Sequence, residues 1–182
     1  MKQSLMKTKY QEILPDLKKD LGQKNALALP RIAKVTVNVG LGRFLKEQQR
    51  VDEIVESLAT MTGQKPMLTR ARKAIAGFKI REGLDVGVKV TLRGKRMWEF
   101  LDRFFYATLP RVRDFQGIST TSVDKNGNCN IGLKEHMIFP EIIPEKVQTV
   151  FSLQVTITTT ALNGTEGMVL FRKLGFPFRT EE

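Results

Sequence analysis

At 182 residues, 41% hydrophobic and 27% charged, the chain has the size and composition of a folded protein that needs neither disulfides nor metal to hold a core. No apolar run approaches the roughly 18 residues of a membrane span; Cys129 stands alone, which excludes an intramolecular disulfide, and the N-terminus lacks a long apolar stretch, so a cytoplasmic protein is expected. Thirty Lys and Arg against nineteen Asp and Glu give +11, an excess whose self-repulsion favours a polyanionic partner.

Leu5, Met6, Tyr10, Ile13, Leu14, Leu17 and Leu21 recur at helical spacing and predict an amphipathic helix over 2–21, with Pro15 as a kink or a break. After a turn at Leu29-Pro30, Val35, Val37 and Val39 alternate with Lys34, Thr36 and Asn38, predicting a half-buried strand over 33–39 that Gly40-Leu41-Gly42 ends. A second helix is expected over 46–62, with Val51, Ile54, Val55 and Leu58 as its stripe and Gly63 as its C-terminal cap. A short strand over 64–69 follows. The clearest strand is 85–93, with Val86, Val88, Val90 and Leu92 inward and Lys89, Thr91 and Arg93 outward.

Gly94 leads into a helix expected over 95–108, its buried stripe Met97, Trp98, Leu101, Phe104 and Phe105. Asn126-Gly127 predicts a hairpin between strands at 119–124 and 129–133. Pro144 is placed to open a short helix over 145–150. Residues 153–160 alternate again, Leu153, Val155 and Ile157 against Thr156, Thr158 and Thr160, before a last helix over 164–174 that Gly175 and Pro177 stop. Without repeats or a dividing linker, these elements predict one α+β domain over 1–182: an antiparallel or mixed β-sheet with helices packed on one face. The other face would show Lys34, Thr36, Asn38, Lys89, Thr91, Arg93 and the threonine row. Such a face is either plain solvent-facing alternation or a surface that meets RNA through hydroxyl, amide and ammonium donors.

The charge is unevenly spread: residues 1–63 carry +4, residues 64–113 carry +9 and residues 114–182 carry −2. An interaction surface requires such concentration, and charge that merely keeps a chain soluble does not. At the centre of the basic third, residues 69–83 hold Arg70, Arg72, Lys73, Lys79 and Arg81 with no acid before Glu82. With no clean period and two glycines, Gly77 and Gly83, this segment reads as a long, mobile, hairpin-like loop, of the kind that is usually functional or disordered. Its arginines suit phosphate and Phe78 suits stacking on a base or ribose. The competing reading is an amphipathic helix that packs Ala71, Ala74, Ile75 and Phe78 on the core.

Catalytic signals are missing. Gly40-Leu41-Gly42-Arg43 lacks the third glycine of a dinucleotide fingerprint, and no phosphate-loop lysine motif occurs. His136, the sole histidine, forms no metal spacing with Cys129 or the scattered carboxylates, so neither a metal nor another cofactor is expected. Cys129 reads as a small strand residue and Trp98 as a core anchor.

Several runs together resemble the family of bacterial large-subunit ribosomal protein number five. They are Gly63-Gln64-Lys65-Pro66, Thr69-Arg70-Ala71, residues 75–83, residues 89–94, and Leu109-Pro110-Arg111-Val112-Arg113-Asp114-Phe115. Gly132-Leu133-Lys134-Glu135-His136, residues 138–142 and Leu174-Gly175-Phe176-Pro177-Phe178 continue the resemblance in the same order over almost the whole chain. The resemblance implies a non-enzymatic role in the central protuberance. There such proteins bind 5S ribosomal RNA, help attach it to the large-subunit ribosomal RNA, touch P-site transfer RNA, and bridge to small-subunit protein thirteen. Neighbouring 5S-associated ribosomal proteins are implied partners. Asn38, Gln64 and Thr91 match the family's 5S-contacting positions, and Lys34, Thr36, Lys65, Thr69, Lys89 and Arg93 surround them. Arg70, Arg72, Lys73, Phe78, Lys79 and Arg81 fall in the loop that reaches toward transfer RNA. Arg111, Arg113, Lys134 and His136 are candidates for the bridge or for ribosomal RNA. The chain departs from the family at Phe104-Phe105-Tyr106, around Val150-Phe151-Ser152, and in a short tail over 179–182. Against this stand an enzyme of RNA metabolism, for which no acid–base or metal constellation exists, and a pure protein-interaction module centred on the near-neutral C-terminal third.

Overall fold

A computed structural model of the protein describes residues 4–23, 25–45 and 47–179. The predicted helix starts at residues 2 and 46 and the tail over 180–182 lie outside the described residues. In chain order the main elements are α1 (Leu5–Asp20), β1 (Ile32–Gly40), α2 (Gln48–Thr62), β2 (Met67–Arg70), β3 (Asp85–Leu92), α3 (Gly94–Arg103), β4 (Cys129–Leu133), β5 (Leu153–Thr159) and α4 (Gly164–Leu174). The strands form one five-stranded antiparallel sheet in the order β2-β3-β1-β5-β4, an α+β fold. Alternation decides which face is buried: Val35, Val37, Val39, Val88, Val90, Leu92, Leu153, Val155 and Ile157 are all inside. The intervening Thr36, Asn38, Lys89, Thr91, Gln154 and Thr156 are half-buried or exposed.

The chain forms two compact units, the first of residues 1–35, 92–131 and 156–182 and the second of 36–91 and 132–155. In the first, α1 packs against both α3 and α4. Its helical start is held from a distance: the Leu5 and Met6 N–H groups donate to the Asp102 carboxylate of α3 at 3.1 and 2.8 Å. That carboxylate occupies orphan donors and lies at the positive end of the helix dipole. α1 continues through Pro15, which is exposed, so water can hydrate the carbonyl that loses its partner. Met6 and Leu17 are the buried residues of α1, whereas Leu5, expected on its inner stripe, is 63% exposed.

The helix expected over 95–108 ends as an α-helix at Arg103. It opens into a π turn over Phe104–Thr108, and a 3-10 turn over Leu109–Arg111 follows. Pro110 has no N–H to continue the α ladder. The wide turn buries Phe104 and Phe105 together, and Phe105 meets Phe176 at 4.1 Å between ring centroids. Phe100, absent from the predicted stripe, is fully buried, while Trp98 is only half-buried and tilts against Tyr10 at 6.0 Å.

Residues 119–124 do not form the strand expected before the Asn126-Gly127 turn. The Ser119 side chain accepts from the Thr121 N–H and starts a 3-10 turn over Thr120–Ser122, leaving one isolated bridge, Val123 to Cys129. The turn itself is built on Asp124, whose carboxylate accepts from the N–H groups of Asn126 and Asn128 at 2.9 and 2.8 Å. Partial burial acts to raise the Asp124 carboxyl, but these bonds and one from the Asn128 amide hold it below the usual range. Pro144 opens a 3-10 turn over Pro144–Lys146 in place of the short helix expected over 145–150.

In the second unit, α2 buries Val51, Ile54, Leu58, Met61 and Thr62, and Gly63 caps it at φ 66°. That left-handed residue turns the chain so that Gln64 leads into β2.

Candidate nucleic-acid interface

The open sheet face of the second unit is assembled by strand pairing. Met67 lies opposite Lys89 and Thr69 opposite Gly87. Cross-strand partners share a face, and alternation adds Thr91 beside Lys89. β1 presents Thr36 and Asn38 outward between its buried valines. Lys89 is half-buried on this face.

β2 begins too late to pair with Thr91, and Gln64 takes its place: its Nε2 donates to the Thr91 carbonyl at 3.2 Å. One N–H of the amide is used in holding the side chain against β3, which leaves Oε1 and the second N–H to offer a partner. The backbone behind Gln64 is close to the Thr62 hydroxyl, which donates to the Leu58 carbonyl at 2.7 Å with the Gln64 carbonyl 3.2 Å away. Lys65 beside it is exposed.

Sequence reasoning missed two residues of this face. Met67 is 57% exposed, an apolar contact among polar groups, and its alternation with Thr69 was the available signal. Gly87 is closely packed: a Cβ there would stand 2.8 Å from the Thr69 hydroxyl and 3.1 Å from the Val39 carbonyl, so a side chain would have to displace both. No periodicity reveals that constraint.

Residues 69–83 fold back on themselves and do not form an amphipathic helix. The Ala71 N–H donates to the Leu84 carbonyl at 2.8 Å and the Gly83 N–H to the Ala71 carbonyl at 3.0 Å. Further out, Ile75 and Ile80 exchange bonds of 2.9 and 3.2 Å around a 3-10 turn at Ala76–Phe78, with Lys79 left-handed at φ 54°. Arg72, Lys73, Lys79 and Arg81 are exposed, and Phe78 is 72% exposed at the end of this arm. At its base the pairing shifts register between Thr69 and Arg70, and the Arg70 Nε lies 3.4 Å from Asp85 Oδ1. A bulge of this kind re-aims the chain that leaves the sheet.

The other candidates divide between the units. Lys34, Arg93, Arg111 and Arg113 belong to the first, Lys134 and His136 to the second. Arg93, Arg111, Arg113 and Lys134 are exposed and Lys34 half-buried. The threonine row is partly committed inside the sheet, since the Thr156 hydroxyl donates to the Asn130 side chain at 2.8 Å.

His136 is fully buried and lies flat on Phe151, 3.9 Å between centroids. Its Nδ1 accepts from the Phe151 N–H at 3.5 Å. Glu53 of α2 pins the same connection by accepting from the Gln148 and Thr149 N–H groups at 2.8 and 3.1 Å. Burial pushes the His136 imidazole below its ordinary value, and the nearby Glu53 carboxylate pulls only partly against it. As pH falls through the ordinary histidine value of 6.5, the unfolded chain takes a proton that the folded chain refuses. Stability is therefore full above that value and declines below it. His136→Phe, which keeps a flat ring on Phe151, should flatten this decline when urea midpoints at about pH 7.5 and about pH 5.5 are compared. An identical decline in both proteins would assign the acid sensitivity elsewhere.

The family model described as ribosomal protein L5 matches residues 25–81, and that of the ribosomal L5P family C-terminus matches residues 85–178. The large ribosomal subunit protein uL5 of Synechocystis sp. is 51% identical over 176 residues, 96% of this chain and 98% of the relative. The uL5 of Synechococcus sp. is 50% identical over 175 residues with the same coverage, and that of Ralstonia pickettii 48% over 169 residues, 93% of this chain and 94% of its own.

Proposed function

This chain belongs to the ribosomal protein L5 family and is a structural constituent of the large ribosomal subunit, and we propose that it binds 5S ribosomal RNA there through the open sheet face of its second unit. By that contact it helps attach 5S RNA to the large-subunit ribosomal RNA in the central protuberance of the cytoplasmic ribosome. The observation that carries the reading is the Gln64 side chain bonded to the Thr91 carbonyl, beside Lys89 and Thr69 on one face. A pre-positioned amide among hydroxyls discriminates, while Lys65 and Lys89 meet phosphates; Lys34 and Arg93 offer further phosphate contacts on the first unit. The test is binding to 5S RNA against an unrelated structured RNA of equal length. A preference that persists at high salt supports the reading; equal affinities that vanish together as salt rises would leave only a generic basic binder.

The arm at 70–83 is the part that reaches P-site transfer RNA, with Arg70, Arg72, Lys73, Lys79 and Arg81 on phosphates and Phe78 on a base or ribose. Its exposure and five cations support this. Replacing Arg70 and Arg72 with alanine should spare 5S RNA binding and weaken transfer RNA binding in assembled ribosomes by on the order of tenfold, as expected when two phosphate contacts are lost. Equal loss of both would misplace the arm.

The bridge to small-subunit protein thirteen falls to the 134–142 segment with Lys134. This segment borders a groove of about 310 Å³ whose lining includes Glu56, Ser57, Thr60, Ile142 and Ile143, a mixed polar and apolar surface with Glu56 exposed on it. His136, without exposed surface, serves it by holding the segment in place. Arg111 and Arg113 are left for ribosomal RNA.

A further inference from the structure

We propose that the first unit holds a second RNA-reading site: an apolar pocket that takes one unstacked base of ribosomal RNA while cations on its rim hold the flanking phosphates. This rests on the reading of the chain as a ribosomal RNA binder, but its residues are not those of the sheet face. The pocket encloses about 280 Å³ and is lined by Met6, Phe105, Tyr106, Leu109, Phe115 and Pro177, among others. Its volume falls just below the roughly 300–1,000 Å³ of pockets for drug-sized ligands, as suits a single planar ring.

Three of those walls are aromatic. Tyr106 is 50% exposed and its hydroxyl points to the Met6 sulfur at 3.9 Å, which leaves the ring standing as a wall of the pocket. A ring in that position stacks on any base. Among the described residues, no acidic side chain lines the pocket. Cations are near in sequence: the exposed Arg111 follows the lining residue Pro110, and the exposed Arg113 precedes Phe115 by two residues with Asp114 between them. The Lys9 ammonium lies 3.0 Å from where a Cβ of the lining residue Gly175 would be. An apolar, aromatic floor with a cationic rim matches a nucleotide, which brings a flat ring and an anion on one residue.

The backbone of the pocket is unusual in two places. Phe105 and Tyr106 come from the π turn over Phe104–Thr108, and Phe115 follows Asp114, a non-glycine residue at φ 53°. Both conformations are rare and concentrate at functional sites.

The test follows the methyl resonances of Met6 and Leu109 in the full chain during titration with hexaadenylate and with an abasic hexamer of equal charge. Hexaadenylate should move both methyls and the abasic hexamer should not. Tyr106→Ala should weaken the response at Met6 on the order of tenfold, Tyr106→Phe should restore it, and 5S RNA binding by both variants should be unchanged. Arg111→Ser should weaken the same response more at low salt than at high salt. Equal shifts with both hexamers, or none with either, overturn the proposal. So does a response to an acidic aromatic peptide in place of hexaadenylate, which would make the pocket a protein-docking site. A chain whose methyls respond but which fails to select 5S RNA would keep the pocket and sink the sheet-face reading.

Discussion

Affinity for 5S ribosomal RNA should fall roughly a hundredfold as monovalent salt rises from about 50 to about 200 mM. Four cations, Lys34, Lys65, Lys89 and Arg93, are proposed to meet phosphates, and each adds about 0.7–0.9 to the slope of log affinity against log salt. The slope is then about 3 over a fourfold change in salt. Single variants should separate the two kinds of contact. Lys89→Gln should reduce the slope by about one and weaken all RNAs alike. Asn38→Ala and Gln64→Ala should each cost on the order of 1–3 kcal/mol for 5S RNA, leave the slope as it was, and leave an unrelated RNA unaffected. Filter binding across a salt series measures all of this. A Gln64 variant that changes the slope but not the selectivity would remove the amide from the recognition site.

Gly167→Ala should destabilise the protein by about 3 kcal/mol or more, against the direction that helix propensity predicts. Inside a helix, alanine is favoured over glycine by about 1 kcal/mol. Here the added Cβ would lie 2.5 Å from the Gly127 Cα and 2.6 Å from its carbonyl oxygen, both backbone atoms. Gly127 is itself left-handed at φ 74°, and a Cβ on it would meet the Ala161 Cβ at 2.6 Å. Neither side can give way, because the turn is fastened: the Thr159 hydroxyl donates to the Gly127 carbonyl at 2.7 Å. The start of α4 is fastened too, Asn163 accepting from the Glu166 N–H at 2.9 Å. Urea unfolding checks the expectation, with Gly132→Ala as the control, since nothing lies within 4 Å of that Cβ. If both variants unfold at the wild-type midpoint, the two glycines are not in the contact described.

Period-two alternation of valine with Lys, Thr and Asn was enough to place β1, β3 and β5 and to say which of their faces is buried, because burial is what alternation encodes. Gly63 and Gly175 marked the ends of α2 and α4 through the left-handed backbone that both adopt. The outward placement of the proposed site residues on the sheet was legible for the same reason: Asn38, Lys89 and Thr91 are simply the polar halves of those strands. The basic concentration in residues 64–113 pointed to the arm before any contact in it was known.

Other features were decided only by the folded chain. Asp102 caps a helix that begins 97 residues earlier in sequence, and no local pattern carries that pairing. The π turn at Phe104–Thr108, which buries Phe104, Phe105 and Thr108, has no signature in the local spacing of apolar residues. Ser119 and Asp124 used their side chains on the backbone and turned a predicted strand into loop. The same holds for the site. Gln64 is a recognition candidate because β2 starts short of Thr91, Gly87 because Thr69 and Val39 crowd it, and His136 is excluded from the surface by its place against Phe151. Sequence periodicity reports the average environment of a position. Close approach between distant backbones, which fixes each of these residues, exists only once the chain has folded.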